Sequence, residues 1–332
     1  VNTTTNAAAI ATPAQTREGL LKRQARGYTQ VRGVLVQRPQ AGPAGERASL
    51  LARFVSMRRH RALVLYLLLL GAWPEIEHRI NNGRAPLEAQ VWVRALTSGQ
   101  RRALTWSSSA LSRTWGELED MQLVTRDRQG RLVHARPRRE DGLEDYTRPQ
   151  GRRGHEHTYF VLPDAFWNDE VFAELGLAAL AMFLLIAKET NGRAEVHLTH
   201  QQFQDWYGIR QRTAQKGIAE LKDKGFLHVR PEPRPSALSG SGFTVDMHYS
   251  LIGNYGYQAR AALRKRARSE RAKRLKPDPT TRKKLRRAAA RTSGTAKTPK
   301  STKTTKAAKA STKITTRRAT TARPGHGERE RA

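Results

Sequence analysis

The chain has 332 residues, with 61 Lys and Arg against 29 Asp and Glu and a formal net charge of +32. It has no cysteine, which excludes a disulfide scaffold, a thiol nucleophile and a cysteine-ligated zinc or iron–sulfur site. Apolar residues make up 38%, enough for modest cores but not for the whole length, and the basic excess makes polyanions the default partner.

Residues 1–27 are small, polar and rich in Ala and Thr, and are expected to be disordered. They show no basic segment followed by a long apolar run, so no signal peptide is expected. A first domain is expected over 28–138. Its most apolar run, Ala62–Trp73, has twelve residues, and a second run, Leu175–Ala187, has thirteen. Both fall short of the roughly 20 residues that span a bilayer and read as buried core helices. The stretch Ile76–Leu104 has no clear pattern. Leu111, Trp115 and Leu118 then recur at helical spacing, and Leu123–Arg126 and Arg131–Ala135 flank a tight turn at Arg128–Gly130.

Residues 139–157 are dense in charge, Gly and Pro and read as a linker. In a second domain over 158–257, Thr199-x-x-Gln202 is a capping-box pattern that opens a short helix. The turn Tyr207–Ile209 follows. Ala214, Ile218 and Leu221 define one face of the next helix, with Gly225 placed to stop it. Phe243–Leu251 alternates strictly, with Phe243, Val245, Met247, Tyr249 and Leu251 on the face expected to be buried. The two helices repeat at a shift of 103 residues, with Glu117/Glu220, Leu118/Leu221 and Asp120/Asp223 identical.

From 258 the chain reads as a basic low-complexity tail. Arg260–Ala332 carries 26 Lys and Arg against four acids, and no aromatic residue follows Tyr257. Such a segment cannot bury enough surface to offset its ordering entropy. Its first part, Gln258–Lys276, has the composition of a basic helix. The Lys/Ala/Thr run Lys297–Arg323 is similar in composition to the tails of linker histones and actinobacterial histone-like proteins.

Helix, short helix, tight turn, helix and two-stranded wing, carried by LTHQQFQDWYGIRQRTAQKGIAELKDKGFLHVR (Leu198–Arg230), resembles the winged helix-turn-helix family. The fold this implies is α+β, mainly α with small β-wings: tandem winged helix-turn-helix domains followed by a disordered basic tail. In that family the second helix of the turn pair enters the major groove. The resemblance therefore implies that Arg210, Gln211, Arg212, Gln215 and Lys216 face DNA, and that Arg230 and Arg234 on the wing suit phosphates. In the first copy the corresponding positions Ser109, Ser112 and Arg113 are candidate DNA-binding residues, but one cation against Glu117, Glu119 and Asp120 makes a packing or dimerising role at least as well favoured there as groove reading.

Catalysis finds no support: there is no phosphate-cradling glycine loop and no nucleophile elbow. His155 and His157 lack a third ligand at a recognisable spacing, so neither a metal nor any other cofactor is expected. The expected function is sequence-specific binding of double-stranded DNA by a non-enzymatic transcriptional regulator. It would be cytoplasmic and nucleoid-associated, with a homodimer formed through the first domain. The alternatives are a plasmid or phage replication initiator with two winged-helix domains, and an architectural nucleoid protein.

Overall fold

The computed structural model describes residues 10–38, 49–101, 103–130, 132–151 and 154–275, apart from the side chains of Gln129, His155 and Leu275. The low-complexity run expected beyond 276 lies outside the described residues, as do residues 1–9.

The chain begins with α1 (Pro13–Leu21), in a stretch expected to be disordered. Thr12 and Gln15 form a reciprocal capping box, Pro13 occupies the first turn, and Arg17, Leu20 and Leu21 are buried. One short buried face and a good cap thus order a segment whose composition is otherwise that of a coil. Strand β1 (Tyr28–Arg32) follows, then α2 (Leu50–Ser56) and α3 (His60–Asn81). Every residue of 62–70 is buried, and α3 runs past Pro74. The unpatterned stretch after it contains α4 (Ala89–Leu96), whose Trp92 meets Trp115 of α5 (Ser108–Asp120) edge-to-face at 5.3 Å. The hairpin β2 (Val124–Gln129) and β3 (Leu132–Pro137) turns at Gly130, where φ is +59°.

The second half starts with β4 (Tyr159–Pro163) and the single turns α6 (Ala165–Asn168) and α7 (Val171–Glu174). The apolar run expected as one helix breaks at Gly176, the N-cap of α8 (Leu177–Glu189). Then come β5 (Val196–His197), α9 (His200–Tyr207), α10 (Gln211–Asp223), β6 (Leu227–Pro235), β7 (Phe243–Leu251) and α11 (Tyr257–Leu275). The architecture is α+β, mainly helical, with small antiparallel sheets.

The sequence repeat is also a structural one. Helices α5 and α10 are each 13 residues long and are offset by 103. Leu111, Thr114 and Leu118 are buried at the positions of Ala214, Gly217 and Leu221. After each helix one left-handed residue follows, Gln122 (φ +60°) or Gly225 (φ +72°). The next amide, Leu123 or Phe226, donates at 2.9 Å to the carbonyl of Leu118 or Leu221. The hairpin strands then start at Val124 and Leu227, again 103 apart.

The two halves are not separate beads. Strand β1 pairs antiparallel with β4, Val31 opposite Phe160, and one hydrophobic core runs through both. Residues 139–157, expected as a solvated linker, instead begin as a strap over β1. Glu140 is fully buried and pairs with the equally buried Arg32 at 2.7 Å, while its other oxygen accepts the Arg32 amide at 3.0 Å. Arg32 also donates to the Thr147 carbonyl at 2.5 Å. A charge-rich composition does not distinguish solvated charges from charges that satisfy one another in the interior.

The compact unit extends to Leu275, not to the expected boundary at 257. Arg260 of α11 is buried and donates to the carbonyls of Ala187 (2.6 Å), Thr190 (3.0 Å) and Tyr255 (2.8 Å). The first two belong to the end of α8, whose terminal carbonyls have no partner inside the helix and attract a cation. Burial, and next the neighbouring Arg264, lower the Arg260 pKa to about 10.

Candidate nucleic-acid interface

Helix α9 ends at Gly208 in the left-handed conformation (φ +69°), and the chain turns directly into α10. Phe203, Tyr207, Ile209, Ala214 and Leu221 are buried beneath the pair. Gly217 lets α10 approach α8 closely: a Cβ there would lie 2.4 Å from the Ala178 carbonyl oxygen.

This packing directs the other side of α10 to solvent. Arg210, Arg212, Gln215 and Lys216 are exposed. Half-buried Gln211 donates to the Gln201 side chain at 2.7 Å, so it braces α9 against α10. Among the described residues no carboxylate pairs with Arg210, Arg212 or Lys216. The acids on α10 lie at its other end. Glu220 accepts the Gly176 amide at 2.8 Å, and Lys224 just beyond the helix pairs with Glu174 at 3.1 Å. The leading end is thus left cationic.

The wing is charged differently from expectation. Arg230 is clamped between Glu195 (2.6 Å) and Glu232 (2.9 Å), and Arg234 pairs with Asp246 at 2.7 Å. Hydrogen bonds from Arg230 hold the Glu195 and Glu232 carboxyls below their usual range. His248 lies 3.2 Å from Glu232 and His197 lies 3.4 Å from Asp246. Both arginines expected to be available for phosphates are therefore engaged by acids.

The hairpin register pairs Pro231 with Met247, Pro233 with Val245 and Pro235 with Phe243, giving the ribbon one apolar face. Only Tyr249 and Leu251 of the expected face are buried. Phe243 and Val245 are exposed because the hairpin outruns the core. Strand β6 is at the sheet edge in the order β5-β7-β6. Its three alternate prolines can donate no hydrogen bond there, which blunts that edge against strand addition.

In the first half, Ser109, Ser112 and Arg113 lie exposed on the leading part of α5, behind the N-cap Ser107. The Ser109 hydroxyl is 3.0 Å from that of Ser107. The expected excess of acid on this helix is largely cancelled. Glu117 pairs with Arg59 from the turn before α3, and Glu119 accepts from Arg126 Nε at 2.8 Å. Sequence spacing along α5 carried no sign of Arg59, which is 58 positions away in the chain.

No group of three His, Cys, Asp or Glu side chains among the described residues is arranged to hold a metal. None of the described helices is long and apolar enough to cross a membrane. No protein-family model, curated protein or solved structure matches the chain.

Proposed function

We propose that the chain binds double-stranded DNA sequence-specifically, as a regulator built on tandem winged helix-turn-helix units with α10 as the reading helix. The observation that carries this is the polarity of α10. Arg210, Arg212, Gln215 and Lys216 are exposed and free of carboxylate partners at its leading end, while Glu220, toward its other end, is spent on the N-cap of α8. A helix of this kind fits the major groove, where Arg or Lys donates to guanine O6/N7 and Gln pairs bidentately with adenine. Lys276–Ala332, with 18 Lys and Arg against three acids, adds affinity for phosphates that is independent of sequence.

The test is selection of random duplexes on the full chain, followed by salt titrations on the selected and a scrambled duplex. Deleting Lys276–Ala332 is expected to weaken both duplexes alike and to flatten the salt dependence. Arg212→Ala/Lys216→Ala is expected to cost about 1–3 kcal/mol per lost base contact on the selected duplex only. No enrichment of any sequence, or an equal loss on both duplexes, overturns specific reading in favour of an architectural role.

The fusion of two repeats into one core favours a replication initiator as a second reading. A rigid pair of reading units suits adjacent sites, and footprints over directly repeated sequences beside an A·T-rich stretch would distinguish it from a promoter-bound regulator.

A further inference from the structure

The turn between α2 and α3 and the leading half of α5 enclose a cleft of about 270 Å³. Arg58, Arg59, His60 and Arg61 line one side, and Arg113 and Glu117 line the other. The single acid is already paired with Arg59. Arg61 donates only to the Thr105 backbone and hydroxyl, and among the described residues neither Arg58 nor Arg113 meets a carboxylate. Arg58, Arg61 and Arg113 thus line one cleft with no carboxylate to neutralise them, an arrangement that favours an anion.

The backbone at Arg58 points the same way. The Arg59 amide donates to Phe54 O at 2.9 Å and closes a helix-ending turn whose left-handed residue is Arg58 (φ +56°). Glycine is the favoured residue there, and a side chain costs about 1 kcal/mol. The chain nevertheless carries a cation at that position. His60 Nε2 is also buried without a hydrogen-bond partner.

We propose that this cleft is a second DNA-contact site, in which Arg58, Arg61 and Arg113 hold backbone phosphate oxygens. It rests on the DNA-binding reading above and extends it to the first repeat. Planar guanidinium forks match phosphate oxygens bidentately. The exposed hydroxyls of Ser109 and Ser112 lie along the same part of α5, where a strand bound in the cleft would continue. Ser112 is the repeat equivalent of Gln215, 103 positions on, so the two sites occupy matching places on the two units.

The absence of native cysteine permits a direct test. Ser112→Cys and Gln215→Cys are made separately in the full chain, each carrying a tethered iron chelate that cleaves nearby DNA, with the duplex recovered by selection. Discrete cuts from both positions are expected. The cuts from position 112 should be lost in Arg58→Gln/Arg61→Gln/Arg113→Gln, whose thermal melting is unchanged. That triple variant should lower the slope of log affinity against log salt by about 2–3, at roughly 0.9 per phosphate contact. Cuts from 215 alone overturn the cleft while leaving the α10 reading intact, and cuts from 112 alone support the cleft and count against α10. Cuts from neither, with binding retained, overturn both. Saturable stabilisation by inorganic phosphate, lost in the triple variant and without cuts from 112, identifies a free-anion site and also overturns the proposal.

Discussion

Glu117 and Glu220, 103 residues apart, both reach back to the residue that caps the preceding long helix. Glu220 accepts the backbone amide of Gly176, the N-cap of α8, and Glu117 takes the guanidinium of Arg59, the N-cap of α3. The repeat therefore preserves a task as well as a spacing: a carboxylate on the third helix fixes the start of the first. In the second unit it accepts the backbone amide of the capping residue, and in the first it pairs with that residue's side-chain cation. The consequence for the candidate interface is electrostatic, because each acid is consumed inside its unit and the leading end of each helix keeps its positive charge.

The two left-handed residues of the repeat should respond oppositely to substitution. Gln122 has φ +60° and bears a side chain, so Gln122→Gly is expected to stabilise by up to about 1 kcal/mol. Gly225→Ala, at φ +72°, should destabilise by about 1 kcal/mol or more. Urea unfolding of both variants measures this. A loss of stability in Gln122→Gly would mean that its side chain contributes more than its backbone strain costs.

The helices of the candidate interface were legible in the sequence because their signals are local: a capping box at Thr199, an i, i+4, i+7 stripe and a glycine stop. The Glu117/Glu220 pair was visible as an identity, but not its task, since Arg59 and Gly176 lie in other elements. The same reason hid β1–β4 pairing and the buried roles of Glu140 and Arg260. Composition assigns charged segments to solvent, and only the fold brings each charge to its partner. The alternation of Phe243–Leu251 was correctly read as a strand, but alternation does not report where a hairpin leaves the core.

Two glycines on equivalent helices should separate packing from propensity. A Cβ at Gly217 would meet Ala178 O at 2.4 Å and Met182 Cγ at 2.7 Å, whereas nothing lies within 4 Å of one at Gly116. Gly217→Ala is expected to push α10 off α8 and cost about 1–3 kcal/mol. Gly116→Ala should stabilise by up to about 1 kcal/mol through helix propensity. Thermal melting of the two variants reads the contrast, and equal effects would refute the close approach of α10 to α8.

Asp164 makes stability depend on pH. Burial raises its carboxyl to about 6, and its Oδ1 is buried without a partner. A raised carboxyl favours the folded state while protonated. That contribution is full below the unfolded value near 4 and is lost as pH rises through about 6. Asp164→Asn should therefore stabilise the protein at pH 7–8, by up to about 3 kcal/mol, and change little at pH 4. Denaturation at several pH values tests it; a gain that does not vary between pH 4 and 8 would exclude the carboxyl as its source.

Trypsin should reveal where the compact unit ends. Arg260 and Arg264 are tied to the end of α8 and to Asn191, so cleavage is expected beyond Arg264 and not at Arg260. Arg260→Met leaves the Ala187, Thr190 and Tyr255 carbonyls without that donor. At about 1–3 kcal/mol for each buried group left unsatisfied, α11 should detach and cleavage should move to Arg264. Mass spectrometry of the limit fragments distinguishes the two patterns, and an unchanged pattern would mean that Arg260 does not hold the helix.

The Arg32–Glu140 pair tests whether residues 139–157 are a strap or a linker. Both side chains are fully buried, and Glu140 receives the Arg32 guanidinium and the Arg32 amide together. Burial pushes the Glu140 carboxyl up, against the opposing pull of Arg32. Glu140→Ala leaves an unpaired guanidinium inside the protein, which typically costs about 3–5 kcal/mol. Replacing both charges, as in Arg32→Met/Glu140→Leu, should recover much of that loss, because two apolar groups need no partner and the desolvation of both ions is avoided. For a linker, neither variant would change the midpoint of unfolding. For a strap, the single change lowers the midpoint strongly and the double change restores most of it. The double change should still leave the Thr147 carbonyl without its donor, so recovery is expected to be incomplete.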